Sequence, residues 1–210
     1  VKHTFAADPE LSALIGSYDD SPSEKDWLSQ YRNLLHHYTH QVSSCEGFTF
    51  WGACGAIRRE VFQKVGGFSR HYAKPSIEDI EFGYRLTAAG YRIRVVKDIY
   101  VKHLKLWSPW NVVRTDLMQR ALPWSILILR DKRANNDLNL STGNRISVAT
   151  MGLACLAVLL SPLKWKLLWI VPIAAIVIAI CNWRQYLFFY RKRGLLFMLA
   201  MIPWNWLFFF

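Results

Sequence analysis

Three stretches of this chain, residues 146–163, 167–183 and 194–210, carry no charged side chain. A helix of about 20 apolar residues is what a bilayer core requires, and each stretch approaches that length. Buried helices of a soluble core are the alternative. Three such runs in succession, edged by Trp and basic residues, favour lipid, because indole rings and cations settle at the headgroup level. The expectation is a multi-pass membrane protein with at least three transmembrane helices, over about 146–163, 167–183 and 194–210.

Charge sets an orientation. Arg130, Lys132, Arg133 and Arg145 precede the first run, and Arg184, Arg191, Lys192 and Arg193 separate the second from the third. Only Lys164 and Lys166 lie between the first two. The positive-inside rule therefore places the polar part of the chain, and a loop expected at 184–193, in the cytosol. The whole chain carries 26 Lys and Arg against 15 Asp and Glu, a formal charge of +11. Such an excess calls for phosphate in some form: nucleic acid, anionic lipid or a phosphorylated substrate. Nucleic acid is set aside, because 52% of the residues are hydrophobic and the cations gather beside apolar runs rather than along one stripe. Cys45, Cys54, Cys155 and Cys181 show neither CxxC spacing nor a disulfide framework. The chain starts on Val1 and stops inside an apolar run, so a piece of a longer protein is expected.

The region before Arg130 reads as α/β. Leu11–Tyr18 is strand-like and ends in Asp19 and Asp20. Ser23 with Asp26 has capping-box spacing, and Trp27, Tyr31, Leu34, Leu35 and Tyr38 recur at helical intervals, predicting a helix over 24–40. Residues 48–57 read as a strand or extended segment, and Arg59–Val65 as a short helix stopped by Gly66 and Gly67. Ser76 opens a further helix that Gly90 closes. Residues 91–96 and 99–104 read as two strands, and Ser108 with Pro109 starts another helix. From Trp110 to Leu129 an apolar face is flanked by Arg114, Arg120 and Arg130, the pattern of a helix lying on an anionic lipid surface, or of an amphipathic core helix. The division that follows is 1–108, 109–145 as an interfacial and juxtamembrane segment, and 146–210.

The densest cluster of chemistry runs from Pro75 to Leu86 and contains Glu78, Asp79 and Glu81. Acids in a first helical turn can simply complement the helix dipole, and Ser76 with Asp79 can simply be a capping box. Alternatively, a carboxylate at a helix start facing a cleft serves as a general base, with the helix N-terminus favouring its ionised form. His36 and His40 share a helix face at a spacing metals can use, but no HExxH or cysteine partner accompanies them, so a polar or acceptor-facing helix is the better reading.

Taken together, the run from Trp51 through Gly52, Ala53, Cys54 and Gly55 to Arg58, Phe62, Gly66, Gly67 and Phe68, followed by Glu78, Asp79, Phe82 and Arg85, resembles the family-2 inverting glycosyltransferases. The resemblance spans roughly residues 11–130. It implies a partial GT-A (nucleotide-diphospho-sugar transferase) domain, contributing its acceptor-binding half, followed by the membrane helices. By that resemblance Asp79 is the catalytic base, Glu78 orients base or acceptor, and Trp51, Gly52, Ala53, Cys54 and Gly55 bind the acceptor. In the same way His103 and Lys105 are candidates for the diphosphate or metal, although a histidine at a strand end is as often a polar tip.

The family's D-x-D does not occur in this chain. The nucleotide-binding half is therefore expected upstream, together with the main ligands of a divalent cation (Mg or Mn), and this segment alone should be inactive. A Q-x-x-R-W, carried by the processive members, is also absent, since Gln119-Arg120 runs into Ala121-Leu122. The implied reaction is inverting transfer from a nucleotide-sugar donor to a hydroxyl of a lipid-linked or glycan acceptor at the membrane. A catalytically inactive scaffold on the same fold and a processive polysaccharide synthase remain the alternatives.

Overall fold

The computed structural model describes residues 1–72, 75–133, 135–136 and 138–210. They form two compact units, Val1–Leu138 and Asn139–Phe210.

The first unit opens with a short helix α1 (Lys2–Ala7) that hydrophobic periodicity does not announce, and continues into β1 (Leu11–Tyr18). Helix α2 (Trp27–Val42), β2 (Glu46–Gly47), β3 (Gly55–Ile57), α3 (Arg59–Val65), α4 (Glu78–Ala88) and β4 (Arg92–Val101) follow. The sheet order is β2-β4-β1-β3, with β1 parallel to β4 and both outer pairs antiparallel. Strand β1 is buried along nearly its whole length, as a strand flanked on both sides and covered on both faces must be. Its outward continuation, Asp19 and Asp20, leaves the sheet where the site forms.

Several local expectations are corrected by hydrogen bonding. The cap of α2 is Asp26, whose carboxylate accepts from the Ser29 N–H at 2.9 Å. Ser23 lies three residues before that cap, outside the helix, with its N–H donated to the His103 carbonyl at 3.1 Å. The segment 48–57 is not one strand: a 3-10 turn at Gly52–Cys54 interrupts it before β3. Ser76 does not cap α4; its hydroxyl donates instead to the Gln119 carbonyl at 2.7 Å. The two strands expected over 91–104 are a single β4, whose pairing with β1 shifts register between Ile15 and Ser17. By contrast Gly66, at φ +85°, ends α3 as a left-handed cap.

Ala13, Ile15, Phe50, Val61, Phe82, Leu86, Ile93 and Val95 form the main core. Each large apolar side chain buried there contributes about 1.5–3 kcal/mol. Gly83 lets α4 lie directly on the backbone of Thr49 and Phe50: a Cβ at this position would sit 2.5 Å from the Thr49 carbonyl carbon and would overlap Phe50 N. Arg85 fastens the same helix to α3, donating to the Val65 and Gly67 carbonyls at 2.7 and 2.6 Å while pairing with buried Glu81.

Helix α5 (Pro109–Arg114), capped by the Ser108 hydroxyl, runs through a π-helical stretch (Thr115–Ala121) into α6 (Leu122–Asp131). Leu127 packs with Ile77 and Tyr84, so α6 rests on α4. Trp110, Met118, Leu122, Ile126 and Leu129 remain exposed on the other side.

In the second unit, α7 (Thr142–Leu160) and the helical segment Trp165–Arg193, which contains α8 (Ile170–Arg193), are long and apolar enough to cross a membrane. Helix α9 (Leu195–Phe209) is apolar but shorter and contains Pro203. Two candidate spans, not three, therefore meet the length requirement among the described residues. Nor is 184–193 a loop. It forms the last turns of α8, and the chain breaks only at Gly194, whose φ of +84° ends the helix. The polarity of this unit is inverted. Leu153, Leu159, Ile173, Ile180 and Leu196 face outward, whereas Ser147, Asn182, Gln185 and Asn205 are buried. Asn182 donates to the Ser147 hydroxyl at 2.9 Å, and Tyr186 donates to Asn205 at 3.0 Å.

Gly83→Ala should force α4 away from residues 49–50 and lower stability by about 3 kcal/mol, the upper part of the usual range for overpacking. Thermal melting of the detergent-solubilised protein measures it.

Candidate active site around Asp79

Asp79 stands in the first turn of α4, and its carboxylate spans two segments. One oxygen accepts from the Gly52 N–H at 2.9 Å, and the other from the Ile80 N–H at 2.8 Å. The 3-10 turn Gly52–Cys54 aims the Gly52 amide at α4, and it can do so because Gly83 admits the preceding backbone so closely. Glu78 is tied differently: its carboxylate accepts from the Ser76 N–H at 2.7 Å. Burial raises the Asp79 carboxyl above its ordinary value; the Gly52 and Ile80 amides oppose that, neighbouring Glu78 adds to it and Arg120 opposes it. The sequence argument that the helix start would favour ionisation is thus outweighed by desolvation.

A cleft of about 670 Å³ opens beside this carboxylate, bounded by Gly52, Ala53, Gly55, Tyr72, Glu78 and Asp79 among others. Its size matches an ordinary small-molecule site. The small residues of the 51–55 run serve different purposes. Gly55 is small for packing, since a Cβ there would overlap the Phe50 ring and lie 2.7 Å from the Trp51 carbonyl oxygen. Gly52 has room for a Cβ, which would meet Asp79 at an ordinary 3.5 Å, so its amide is what the site uses. Cys54 faces Gly16, where a Cβ would lie 2.6 Å from its sulfur, and burial raises its thiol pKa. Ala53 lines the cleft, and Trp51 turns towards the opposite side.

That opposite side is a second, smaller cavity of about 190 Å³, lined by Tyr18, His36, Trp51, His103, Lys105, Trp107 and Arg120, together with Pro75, Ser76, Thr115 and Gln119. Tyr18 meets Trp51 and His103 edge-on at 4.7 and 4.6 Å, and His40 meets Trp51 at 4.6 Å. The Lys105 ammonium lies 3.8 Å from the Trp107 ring centre. Burial, reinforced by neighbouring cations, lowers His103 to about 4. Burial likewise lowers His40 to about 4, and His36 falls well below its usual value. All three imidazoles are therefore neutral near pH 7, and the positive charge here belongs to Arg32, Arg120 and Lys105.

The described residues do not by themselves form a site for a divalent cation. No group of three or more His, Cys, Asp or Glu side chains is placed to hold a metal among the described residues. His103 stands among cations that would repel one. His36 and His40, the other histidines weighed as ligands, are occupied in aromatic contacts and, for His36, a 3.3 Å contact with Arg120.

Sequence reasoning missed Arg32, Asp116, Arg120 and Trp107. Arg32 occupies the apolar face of α2 with only 1% of its side chain exposed, and both its terminal nitrogens donate to Asp116 at 2.7 Å. Asp116 also faces Arg120 at 3.8 Å. A charge on an apolar helix face is a usable signal, but its partner lies 84 residues away and nothing local announces it.

Asp116→Asn should leave the Arg32 guanidinium buried without a counter-ion and cost about 3 kcal/mol, the lower part of the range for breaking a buried pair, because Asp116 keeps some solvent contact. The double change Arg32→Met, Asp116→Leu should melt nearer the wild-type temperature than Asp116→Asn does.

Among curated proteins, none matches the chain. Residues 9–210 match the model of a protein family described as glycosyl transferase family group 2. With nearly its whole length covered, the chain belongs to that glycosyltransferase family.

Proposed function

We propose that this unit is the acceptor-binding half of a GT-A type domain, and that it transfers a sugar with inversion from a nucleotide-sugar donor to a hydroxyl of a lipid-linked or glycan acceptor. The observation that carries the reading is the Asp79 carboxylate, fixed by the Gly52 amide at the wall of a sugar-sized cleft. In the reaction the acceptor hydroxyl gives its proton to Asp79 as its oxygen forms a bond to the anomeric carbon. The bond from that carbon to the donor's phosphate oxygen breaks, and the nucleoside diphosphate leaves with the electron pair. A base restrained by two amides reaches one direction only, which is what general-base transfer to a positioned hydroxyl requires. Its raised pKa brings it closer to working pH and makes it a better proton acceptor than an ordinary surface carboxylate.

Glu78, tied to the Ser76 amide, positions the start of α4 and faces the same cleft. Gly52, Ala53 and Gly55 form the acceptor wall, with Trp51 and Cys54 behind it. His103 and Lys105, lining the smaller cavity, form the diphosphate or metal side of the site. A divalent cation, where the donor brings one, would find its main ligands elsewhere.

Membrane association is supported by the two helices long enough to span and by the inverted polarity of their unit. Apolar side chains face outward and hydrogen-bonded polar ones inward, as helices packed in lipid require. The exposed apolar face of α5–α6, with Arg114 and Arg130 beside it, suits a helix resting on the membrane surface. Lys and Arg flanking the spans favour a cytosolic catalytic unit.

In the protein as the cell makes it, Asp79→Asn should lower the transfer rate by about 10²–10⁴-fold with acceptor KM little changed. Because the carboxyl is raised, the acid limb of the kcat/KM profile should fall at a pH above that of an ordinary aspartate, as protonation removes the base. That limb should vanish in Asp79→Asn. An unchanged rate would sink the assignment. For orientation, trypsin should cut at Lys164 or Lys166 in vesicles exposing the extracytosolic face and spare both in vesicles of the opposite sidedness.

A further inference from the structure

The 670 Å³ cleft beside Asp79 has an aromatic wall that proton transfer alone does not require, with Phe62, Phe68 and Tyr72 among its lining. Phe68 is held there from behind. The chain turns through Gly66 and Gly67, at φ +85° and +64°, and Phe68 packs back on Phe62 and Phe82, with ring centres 5.6 and 5.1 Å apart. Arg85 fixes the turn by donating to the Gly67 carbonyl at 2.6 Å. Although Phe50 adds a third ring contact at 6.3 Å, 43% of Phe68 stays exposed on the cleft. An aromatic ring anchored in this way offers a flat face to a ligand at small cost in side-chain entropy. The charge of the cleft is one-sided as well. Glu78 and Asp79 line it, and no Lys, Arg or His does among the described residues. A carboxylate has about four acceptor sites, so the Gly52, Ile80 and Ser76 amides leave both groups able to take further donors.

We propose that the cleft takes an uncharged sugar ring as acceptor, stacked on Phe68 and hydrogen-bonded to Glu78, and that it rejects an acceptor whose reacting group is a phosphate. The inference deepens the transferase reading and rests on it for the word acceptor. Two features define the ligand class. First, a phosphate entering this cleft meets two carboxylates and no cation, and like charges close together repel most strongly where water is scarce. An uncharged hydroxyl meets no such barrier and donates to the same carboxylates. Second, the aromatic wall calls for an apolar surface on the ligand, while Glu78, Asp79 and the Ser69 hydroxyl call for donors on it. A hydrocarbon chain satisfies only the first demand and would strip water from the carboxylates without replacing it. A pyranose satisfies both, since its axial C–H bonds form an apolar face that suits the negative face of an aromatic ring, and its hydroxyls ring the edge. The volume lies within the ordinary range for a small-molecule site. Phe68 is thus a specificity-determining residue, and the sugar it selects can be the end of a glycan or the sugar of a lipid-linked carrier.

The test is saturation-transfer NMR on the full chain in lipid nanodiscs free of sugar detergent. The probes are the methyl glycosides of glucose, galactose, mannose and N-acetylglucosamine, together with maltose and cellobiose, and butyl phosphate is the competitor. At least one sugar should bind, with the strongest saturation on its axial ring protons, and butyl phosphate should not displace it. Phe68→Ala should weaken that binding about fivefold, the loss expected of one aromatic face. Phe68→Leu fills the same space without a flat face and should weaken it similarly at a melting temperature close to wild type, which keeps the test decisive if Phe68→Ala fails to fold. Phe68→Tyr should retain the binding. Failure of every sugar to bind, displacement by butyl phosphate, or unaltered binding in Phe68→Leu overturns the proposal. Asp79→Asn should still bind the sugar, so the two readings fail separately. Lost sugar binding with a rate that still depends on Asp79 removes only this inference, and sugar binding with a rate indifferent to Asp79 removes only the base.

Discussion

The geometry of the site depends on one close approach, that of α4 to the backbone of Thr49 and Phe50 across Gly83. Everything near the carboxylate follows from it. With the two backbones in contact, Phe50 drops into the core against Phe82, the chain turns at Gly52–Cys54, and the Gly52 amide comes within 2.9 Å of Asp79. A larger residue at position 83 would leave the carboxylate in place but move the amide that fixes it. Two residues beyond Gly83, Arg85 holds the same helix to α3 by donating to the Val65 and Gly67 carbonyls, and Glu81 pairs with it. The acidic cluster of α4 thus divides its work. Glu81 is buried and structural, Glu78 and Asp79 face a cleft.

Two walls meet at that helix, and they differ in electrostatic character. On the cleft side the charged groups are carboxylates held by backbone amides. On the other side the charges are guanidinium and ammonium groups, with neutral histidines and aromatic rings between them. Trp51 and Pro75 stand near the division, Trp51 by its contacts with Tyr18 and His40 and Pro75 by lining both spaces. Such a separation keeps Asp79 from being paired directly with a cation. Arg120 influences Asp79 electrostatically but does not bond to it, so desolvation prevails and the carboxyl stays raised. A direct Arg–Asp bridge would instead have pulled the carboxyl down and weakened it as a base.

Much of the fold could be read from sequence where a local rule decides. Leu11–Tyr18 and Arg59–Val65 appear with the expected limits, because an apolar run bounded by acids and a helix closed by two glycines are short-range signals. Where a distant partner decides, local rules failed. Ser23 and Ser76 both had the spacing of a cap and neither caps: Asp26 takes the role at α2, and the Ser76 hydroxyl donates to Gln119. The carboxylate pair and the small-residue run were legible as a combined pattern, whereas the cation cluster was not. Its cations, Arg32, Lys105 and Arg120, with their counter-ion Asp116, are brought together from α2, the strand β4 exit and the π-helical stretch, and no one window of sequence contains them.

The π-helical stretch Thr115–Ala121 is where these lines of argument join. A π turn widens the helix and rotates the residues that follow it, and such turns persist where function needs the altered aim. Here the extra width sets Asp116 against Arg32, Gln119 against Ser76 and Arg120 towards the cavity, while Trp110, Met118 and Leu122 stay on the outside. A regular helix of 3.6 residues per turn over the same residues would rotate the two sets relative to each other. One helical run thus presents charge to the site and hydrocarbon to its surroundings. The Ser76–Gln119 bond makes that change felt at the start of α4, since it anchors the widened turn to the residue whose amide holds Glu78.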